Sequence, residues 1–582
     1  MKNIYKLFIA VICVILTGCN GYLEINPKGA IADGLITGNS ELVDGFVTAA
    51  YAYVPNLGYA ESHNPWMHGS IRSDDTYKGG GGISDQLPWH EFETFAAVTA
   101  NTGNNDGPWY RGYCAVSRCN TAINLLRGLE LSEMPERDIR IAEMRFLRGA
   151  VYFNMKLFWR YIPWIGDEIS NNMEEVLATP NVPEDGEMSL WKNILDDFEY
   201  AAQNLEITPK DKGRITRIAA KAMAAKTLLF MAYEQDDRHQ FTSLNRQRLE
   251  NALQYLNEIT AMEGDVVTLC EDFADNFLPE YDNATKESIW EVQYSIADGT
   301  NNGGRINWGD ELNAPWWVPH FSCCDFHKVS FNLANAFRTD VNGLPLFDTF
   351  NEAELKNNYS DYFNRNTFDP RFSHTVAVPG HPFKYDATLP YDSTGSRDPA
   401  IYGYMNSLKE QVHPDCDCVL KPFYVQNSMN KRNIRYAEVL LWKAEVLIQL
   451  DRYQEALPII NKIRKRASES MARLKWDDGA PVLNYKISLY EDGINCTWTK
   501  DFAWKVLQWE NRLETACEGR RFFDLLRWGA LEKTMNDYFA KERTRYNWMN
   551  NAHFSAGRDE YKPIPQAQIN WSKGLYKQNP GY

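Results

Sequence analysis

The chain has 582 residues, with 61 Lys and Arg against 77 Asp and Glu, for a net charge of −16. At 44% hydrophobic and 24% charged it can bury a large core, and its acidic balance excludes the basic face that nucleic-acid binding needs. The unusual feature is aromatic: 18 Trp, 31 Tyr and 28 Phe, enough for a core and for a surface that grips ring-shaped ligands.

The first predicted element is an export signal. Lys2 and Lys6 precede an apolar run from Leu7 to Leu16, too short for a membrane-spanning helix, which needs about 20 residues, but right for a signal-peptide core. Leu16-Thr17-Gly18-Cys19 follows and resembles the bacterial lipobox, whose cysteine is acylated and becomes the new N-terminus. The expectation is a signal over residues 1–18, lipidation at Cys19, and an exported chain held by several acyl groups, which anchor where a single one is marginal. A plain secretory signal with a chance cysteine is the alternative. Beyond Cys13 and Cys19, nine of the 11 cysteines remain. The adjacent Cys323-Cys324 and Cys416-Asp417-Cys418 are candidates for local disulfides, without the paired clusters of a structural zinc site.

Helical periodicity begins near Tyr110 and continues to about Met262. Within Glu136 to Tyr161, Ile141, Met144, Phe146, Leu147, Val151, Phe153, Met155 and Leu157 form one broad apolar surface. Trp191, Ile194, Phe198, Ala201 and Leu205 mark a partner helix. Two later segments match each other. A helix over Ala219 to Tyr233 turns into Leu249, Ala252, Leu256 and Ile259; Tyr436 to Leu450 turns into Tyr453, Ala456, Ile460 and Ile463. This is the helix-turn-helix logic of tetratricopeptide repeats, in which each pair buries its face only against its neighbours. Between the repeats, residues 263–432 are dense in Asn, Gly, Pro and aromatics, with short strand-like runs such as Ser288 to Tyr294. A last helix pair is expected over Phe502 to Leu531, and then a tail over 532–582. The predicted fold class is all-α: tetratricopeptide-like helix pairs forming a scaffold, at about 110–262 and 433–531, with a loop-rich aromatic face inserted between repeats.

Several segments together resemble the SusD/RagB family of outer-membrane nutrient-binding lipoproteins of Bacteroidetes. They are Glu143 to Phe153 (EMRFLRGAVYF), Thr367 to Phe372 (TFDPRF), Arg435 to Leu441 (RYAEVLL), and Trp509 to Glu514 (WENRLE) running into Glu518 to Gly529 (EGRRFFDLLRWG). The tail from Pro563-Ile564-Pro565-Gln566 to Asn579-Pro580-Gly581-Tyr582 is similar as well. In this order after a lipobox the motifs are specific, and they cover nearly the whole mature chain. The resemblance implies capture of a glycan at the cell surface and delivery to a TonB-dependent SusC-like transporter, with no catalysis and no cofactor. Arg145, Arg148, Arg520, Arg521 and Asp524 lie among large apolar residues, where a charge is tolerated only when paired, so they read as scaffold ion pairs.

The motifs do not mark a binding face, which has to come from chemistry. Sugars present apolar C–H faces and a hydroxyl rim, so a glycan site wants exposed rings flanked by amides, carboxylates or Arg. Two regions supply that mixture. One runs from His63 to Trp109, with Arg72, Asp75, Trp89, Asn101 and Asn105 as candidate ligand contacts; Trp109 and Tyr110 open a helix and read as core. The other follows Arg305, with Trp308, Trp316 and Trp317 as candidates. Hydrolysis is the rival class, but 77 acidic residues make any carboxylate pair uninformative, and no Walker A loop, G-x-S-x-G elbow, zincin helix or dinucleotide fingerprint is present. His374 and His381 read as a chance pair, so no metal is expected. A binder of peptide, glycopeptide or another nutrient on the same scaffold is the alternative function.

Overall fold

The computed structural model describes residues 38–53, 59–300, 304–354 and 359–582. The signal segment and Cys19 lie outside them.

The long helices are α1 (Ser40–Tyr53), α2 (Leu87–Thr94), α3 (Asp106–Arg127), α4 (Arg137–Trp159), α5 (Glu187–Asn204), α6 (Arg217–Ala232), α7 (Arg246–Thr260), α8 (Tyr436–Gln449), α9 (Tyr453–Glu469), α10 (Lys500–Glu514), α11 (Arg521–Arg527) and α12 (Leu531–Glu542). Local chemistry sets several starts. The Thr216 hydroxyl accepts from the Ala219 N–H, Asn245 from Arg248 and Thr499 from Phe502, each satisfying a donor left orphaned in the first turn. In α6 the alanines 219, 220, 222, 224 and 225 are all buried, so the helix is small on every side and its neighbours approach it closely.

The expected repeat is present. Leu249, Ala252, Leu256 and Ile259 of α7 are buried, as are Ala456, Ile460 and Ile463 at the matching positions of α9. Helix α3 packs on α4, α4 on α5, α5 on α6, α6 on α7, and α8 on α9. Helix α7 also packs on α8, so the stack is continuous in space although about 170 residues intervene in sequence. Two strands close that excursion at its base: β2 (Ser288–Val292) pairs antiparallel with β6 (Lys431–Arg435), and β6 runs straight into α8.

A small antiparallel sheet ties the N-terminal loops to the insertion. Its four strands run in the order β1 (Thr76–Gly79), β3 (Phe326–Val329), β5 (Asn406–Ser407) and β4 (Val376–Ala377). The fold is therefore helical with little sheet, as expected.

The motif charges are scaffold pairs. Arg145 and Arg148 both bind Asp197, Arg520 binds Glu438, Arg521 binds Asp74, and Asp524 binds Arg527. Four motifs meet in one buried ionic cluster of five cations and five carboxylates. Arg371 binds Asp369 and Glu510; Arg464 binds Glu510; Arg466 and Arg435 both bind Glu287 and Glu514; Glu518 takes Arg435 and Lys409. The charges balance, which is the condition for keeping so many ions out of water.

Both expected local disulfides are present, Cys323–Cys324 and Cys416–Cys418, and Cys114, Cys119, Cys270, Cys496 and Cys517 are free.

Candidate functional site

The exposed aromatic surface lies in the insertion. Trp308 is pinned through its neighbours: the Asn307 N–H donates to the Asn427 carbonyl at 3.1 Å, and Trp66 Nε1 donates to the Gly309 carbonyl at 3.0 Å. Asn307 Nδ2 also donates to Asp310, whose carboxylate takes Asn64 and Lys431. Fixed on both sides, Trp308 keeps its ring 40% exposed.

Further along the same loop, adjacent tryptophans separate in role. Trp317 is buried, with Phe383 and Tyr391 at 5.3 Å and His320 at 4.5 Å. It anchors the loop, and the backbone alternation turns Trp316 outward, 40% exposed. The Trp316 N–H donates to the Gly395 carbonyl at 3.0 Å, and the Arg397 guanidinium lies 5.2 Å from the Trp316 ring centre. The Cys323–Cys324 disulfide follows just beyond.

A hairpin, Val419–Leu420 paired with Gln426–Asn427, adjoins this loop. Its foot carries the Cys416–Cys418 disulfide. Ser322 Oγ donates to the Pro422 carbonyl, and the Lys421 ammonium approaches the Phe321 ring. At the tip Phe423 is 76% exposed, and Val318 of the facing loop is also exposed. Trp308, Trp316 and Phe423 thus project from one loop cluster, held by backbone bonds to Asn427 and Gly395 and by the buried Trp317. Such rings offer stacking platforms without ordering cost, because their backbone is already fixed. Sequence reasoning missed Phe423; its signal was an aromatic after Lys421-Pro422 beside the Cys-x-Cys pair.

The first candidate region is placed differently. Trp89 is fully buried against His68, Phe92 and Lys562. The Arg72 guanidinium is buried over the Phe522 ring at 4.1 Å and donates to the Asp559 carbonyl. Asp75 accepts from Arg512 at 2.9 Å. Asn105 donates to the Pro563 carbonyl and accepts from Trp159 Nε1. These four side chains, expected as ligand contacts, instead face the interior and tie the N-terminal loops to the C-terminal motif and tail; Trp317 is likewise buried. Asn101 is exposed, but its turn lies against the tail, where the Gln566 N–H donates to the Ala100 carbonyl. At the start of α3 Trp109 is core as expected, whereas Tyr110, about 100° further round the helix, is 56% exposed.

Among the described residues no group of three or more His, Cys, Asp or Glu is placed to hold a metal. His374 is buried and bonded to Tyr385 and the Ser470 carbonyl, an ordinary core histidine.

The SusD family model matches residues 286–582, just over half of the chain. The chain belongs to the SusD family. Its relatives include SusD-like protein P38 of Formosa agariphila, 22% identical over 94% of this chain and 95% of that protein. Among solved structures the SusD-family fold is matched by a laminarin-binding SusD-like protein, at 20% identity and a TM-score of 0.63, over 94% of this chain and 100% of the other. Surface glycan-binding protein A from Bacteroides thetaiotaomicron, in complex with laminarihexaose, aligns at 20% identity and a TM-score of 0.60, over 93% and 99% of the two chains. At such identities the likeness shows the fold of this SusD-family chain.

Proposed function

We propose that this SusD-family protein binds a glycan, oligo- or polysaccharide, without turning it over, and passes it to a TonB-dependent SusC-like transporter. The observation that carries the reading is the loop cluster in which Trp308 and Trp316 stand exposed on a backbone held by its bonds to Asn427 and Gly395 and by the buried Trp317. Rings held this way stack on the C–H faces of sugars, and Arg397 beside Trp316 supplies hydrogen bonds to hydroxyls. Family membership and the glycan ligands named for the two solved relatives support the same reading.

Cleavage after Gly18 and acylation of Cys19 would tether the protein to the outer membrane facing outward. No helix among the described residues is long and apolar enough to cross a membrane, so the lipid is the anchor in this reading.

Non-catalytic binding is tested by incubating the protein with a panel of neutral and acidic polysaccharides. Retention of at least one polysaccharide in affinity electrophoresis, with no new reducing ends, is expected. Turnover abolished by a single carboxylate substitution would make the protein a glycoside hydrolase instead.

A further inference from the structure

Next to the Trp308 loop lies a groove whose walls carry more cations than carboxylates. It lies between the scaffold helices α4 and α6 and the β2–β6 strand pair, and consists of two adjoining clefts of about 110 and 310 Å³ that share Trp290, Val292 and Tyr294. Six cations line it: Lys226, Lys431 and Arg520 in the first cleft, Lys212, Arg214 and Arg305 in the second. The first cleft has no carboxylate on its wall, and the second has Glu291. In a chain of net charge −16, walls so rich in cations stand out.

Three of these six cations have carboxylate partners, and Arg305 donates to the Ala52 carbonyl. Lys431 binds Asp310, Arg520 binds Glu438, and Arg214 binds Glu143. Lys226 does not. Among the described residues no carboxylate reaches ion-pair distance of its ammonium and no group hydrogen-bonds it; its neighbours are the rings of Phe153 at 5.6 Å and Trp442 at 5.3 Å. Glu438 and Asp524 share a further cleft with Lys226 and favour its charge from beyond ion-pair distance, but are committed to Arg520 and to Arg527. Burial first, and then the like charge of Arg520, push the Lys226 amine down to about 8. Beside it the amides of Asn154 and Asn433, also on the wall, are engaged by no other described side chain. A desolvated cation next to another cation, with two free amides, is an arrangement that an anion relieves.

We infer that this groove takes the anionic substituents of an acidic saccharide, sulfate esters or uronate carboxylates, with Lys226, Asn154 and Asn433 as the ligands of one such group. Trp290, partly buried and common to both clefts, is placed to stack on the sugar that carries it. Asn307 lines the first cleft and is the immediate neighbour of Trp308, so a chain stacked on Trp308 continues into the groove. The inference rests on the saccharide-binding reading and narrows the ligand to acidic glycans.

Equilibrium dialysis of the intact protein with inorganic sulfate, and separately with glucuronate, tests it at ionic strength held constant with sodium chloride. Saturable binding of one equivalent is expected, falling at least about tenfold in Lys226→Met and in Asn433→Ala, while Lys533→Met on the open surface of α12 leaves it unchanged. Preference for sulfate marks a sulfated ligand and preference for glucuronate a uronic one. If neither anion binds wild type more tightly than it binds Lys226→Met, the inference is overturned. That failure is separable from failure of the function itself, because retention of neutral polysaccharide through Trp308 and Trp316 does not involve Lys226. Asn433→Ala removes a partly exposed amide and keeps the test decisive should Lys226→Met fold poorly.

Discussion

Glu514→Gln is expected to destabilise the protein by about 3–5 kcal/mol, the usual cost of breaking a buried ion pair by removing one partner. Glu514 is fully buried and accepts from Arg371, Arg435 and Arg466. Burial alone would raise its carboxyl, but Arg466, Arg435 and Arg371 hold it below the usual carboxylate range. The glutamine amide would turn a donor towards guanidinium groups that are all donors, leaving the cluster one charge positive in the interior. Chemical denaturation followed by far-ultraviolet circular dichroism reads the change; a loss under about 1 kcal/mol would mean the cluster is wet and screened. The same cluster sets acid stability. Burial opposes ionisation of Glu518, yet Arg435 and Lys409 bring it down to about 2. A carboxyl lowered on folding stabilises fully above its unfolded value of about 4.3 and loses that contribution as pH falls through the folded value. Wild type should therefore weaken between about pH 4.5 and 2, and Glu514→Gln should show a shallower slope there.

Gly519→Ala is the second large effect. Gly519 has a φ of +73°, a left-handed conformation that side chains rarely adopt. A Cβ there would fall inside the van der Waals envelope of Pro65, against its ring carbon and its backbone carbonyl. Gly69 approaches the same point from the other strand of contact, so a Cβ on Gly69 would meet the Gly519 carbonyl. Two backbones touch at this crossing, one from the N-terminal loops and one from the Glu518-Gly519-Arg520 motif. The Arg520–Glu438 and Arg521–Asp74 pairs directly after Gly519 hold its backbone at the crossing. Backbone strain and overpacking together should cost about 3 kcal/mol or more, read as a lower thermal midpoint. A midpoint within about a degree of wild type would show that the crossing is looser than the geometry implies.

The scaffold was legible in the sequence because its signal is local. The matched spacing of Leu249, Ala252, Leu256 and Ile259 with Tyr453, Ala456, Ile460 and Ile463 reports burial on one helix face. The motif arginines stand among apolar residues where only pairing is tolerable. The candidate site was legible in part. Gly-, Asn- and Trp-rich texture marks a loop, but not whether that loop opens to solvent or closes onto the protein. For Arg72, Asp75, Trp89 and Asn105 the answer comes from partners more than 400 positions later or on another helix, such as Arg512, Asp559 and Pro563. Trp316 and Trp317 are adjacent in sequence, and only the backbone bond to Gly395 and the ring cage of Phe383 and Tyr391 decide which one faces out. The cationic groove was hidden for the same reason: its six charges come from five separate segments.

In the proposed function Trp308 and Trp316 carry the glycan, while the first aromatic region carries structure. The direct measurement is affinity electrophoresis of Trp308→Ala/Trp316→Ala and of Trp89→Ala, on a polysaccharide that wild type retains, alongside their thermal midpoints. The double variant should lose at least about tenfold in affinity, some 1.4 kcal/mol, with its midpoint unchanged. Trp89→Ala should unfold earlier and still bind while folded. Undiminished retention by the double variant, or lost retention in Trp89→Ala at an unchanged midpoint, would contradict the account.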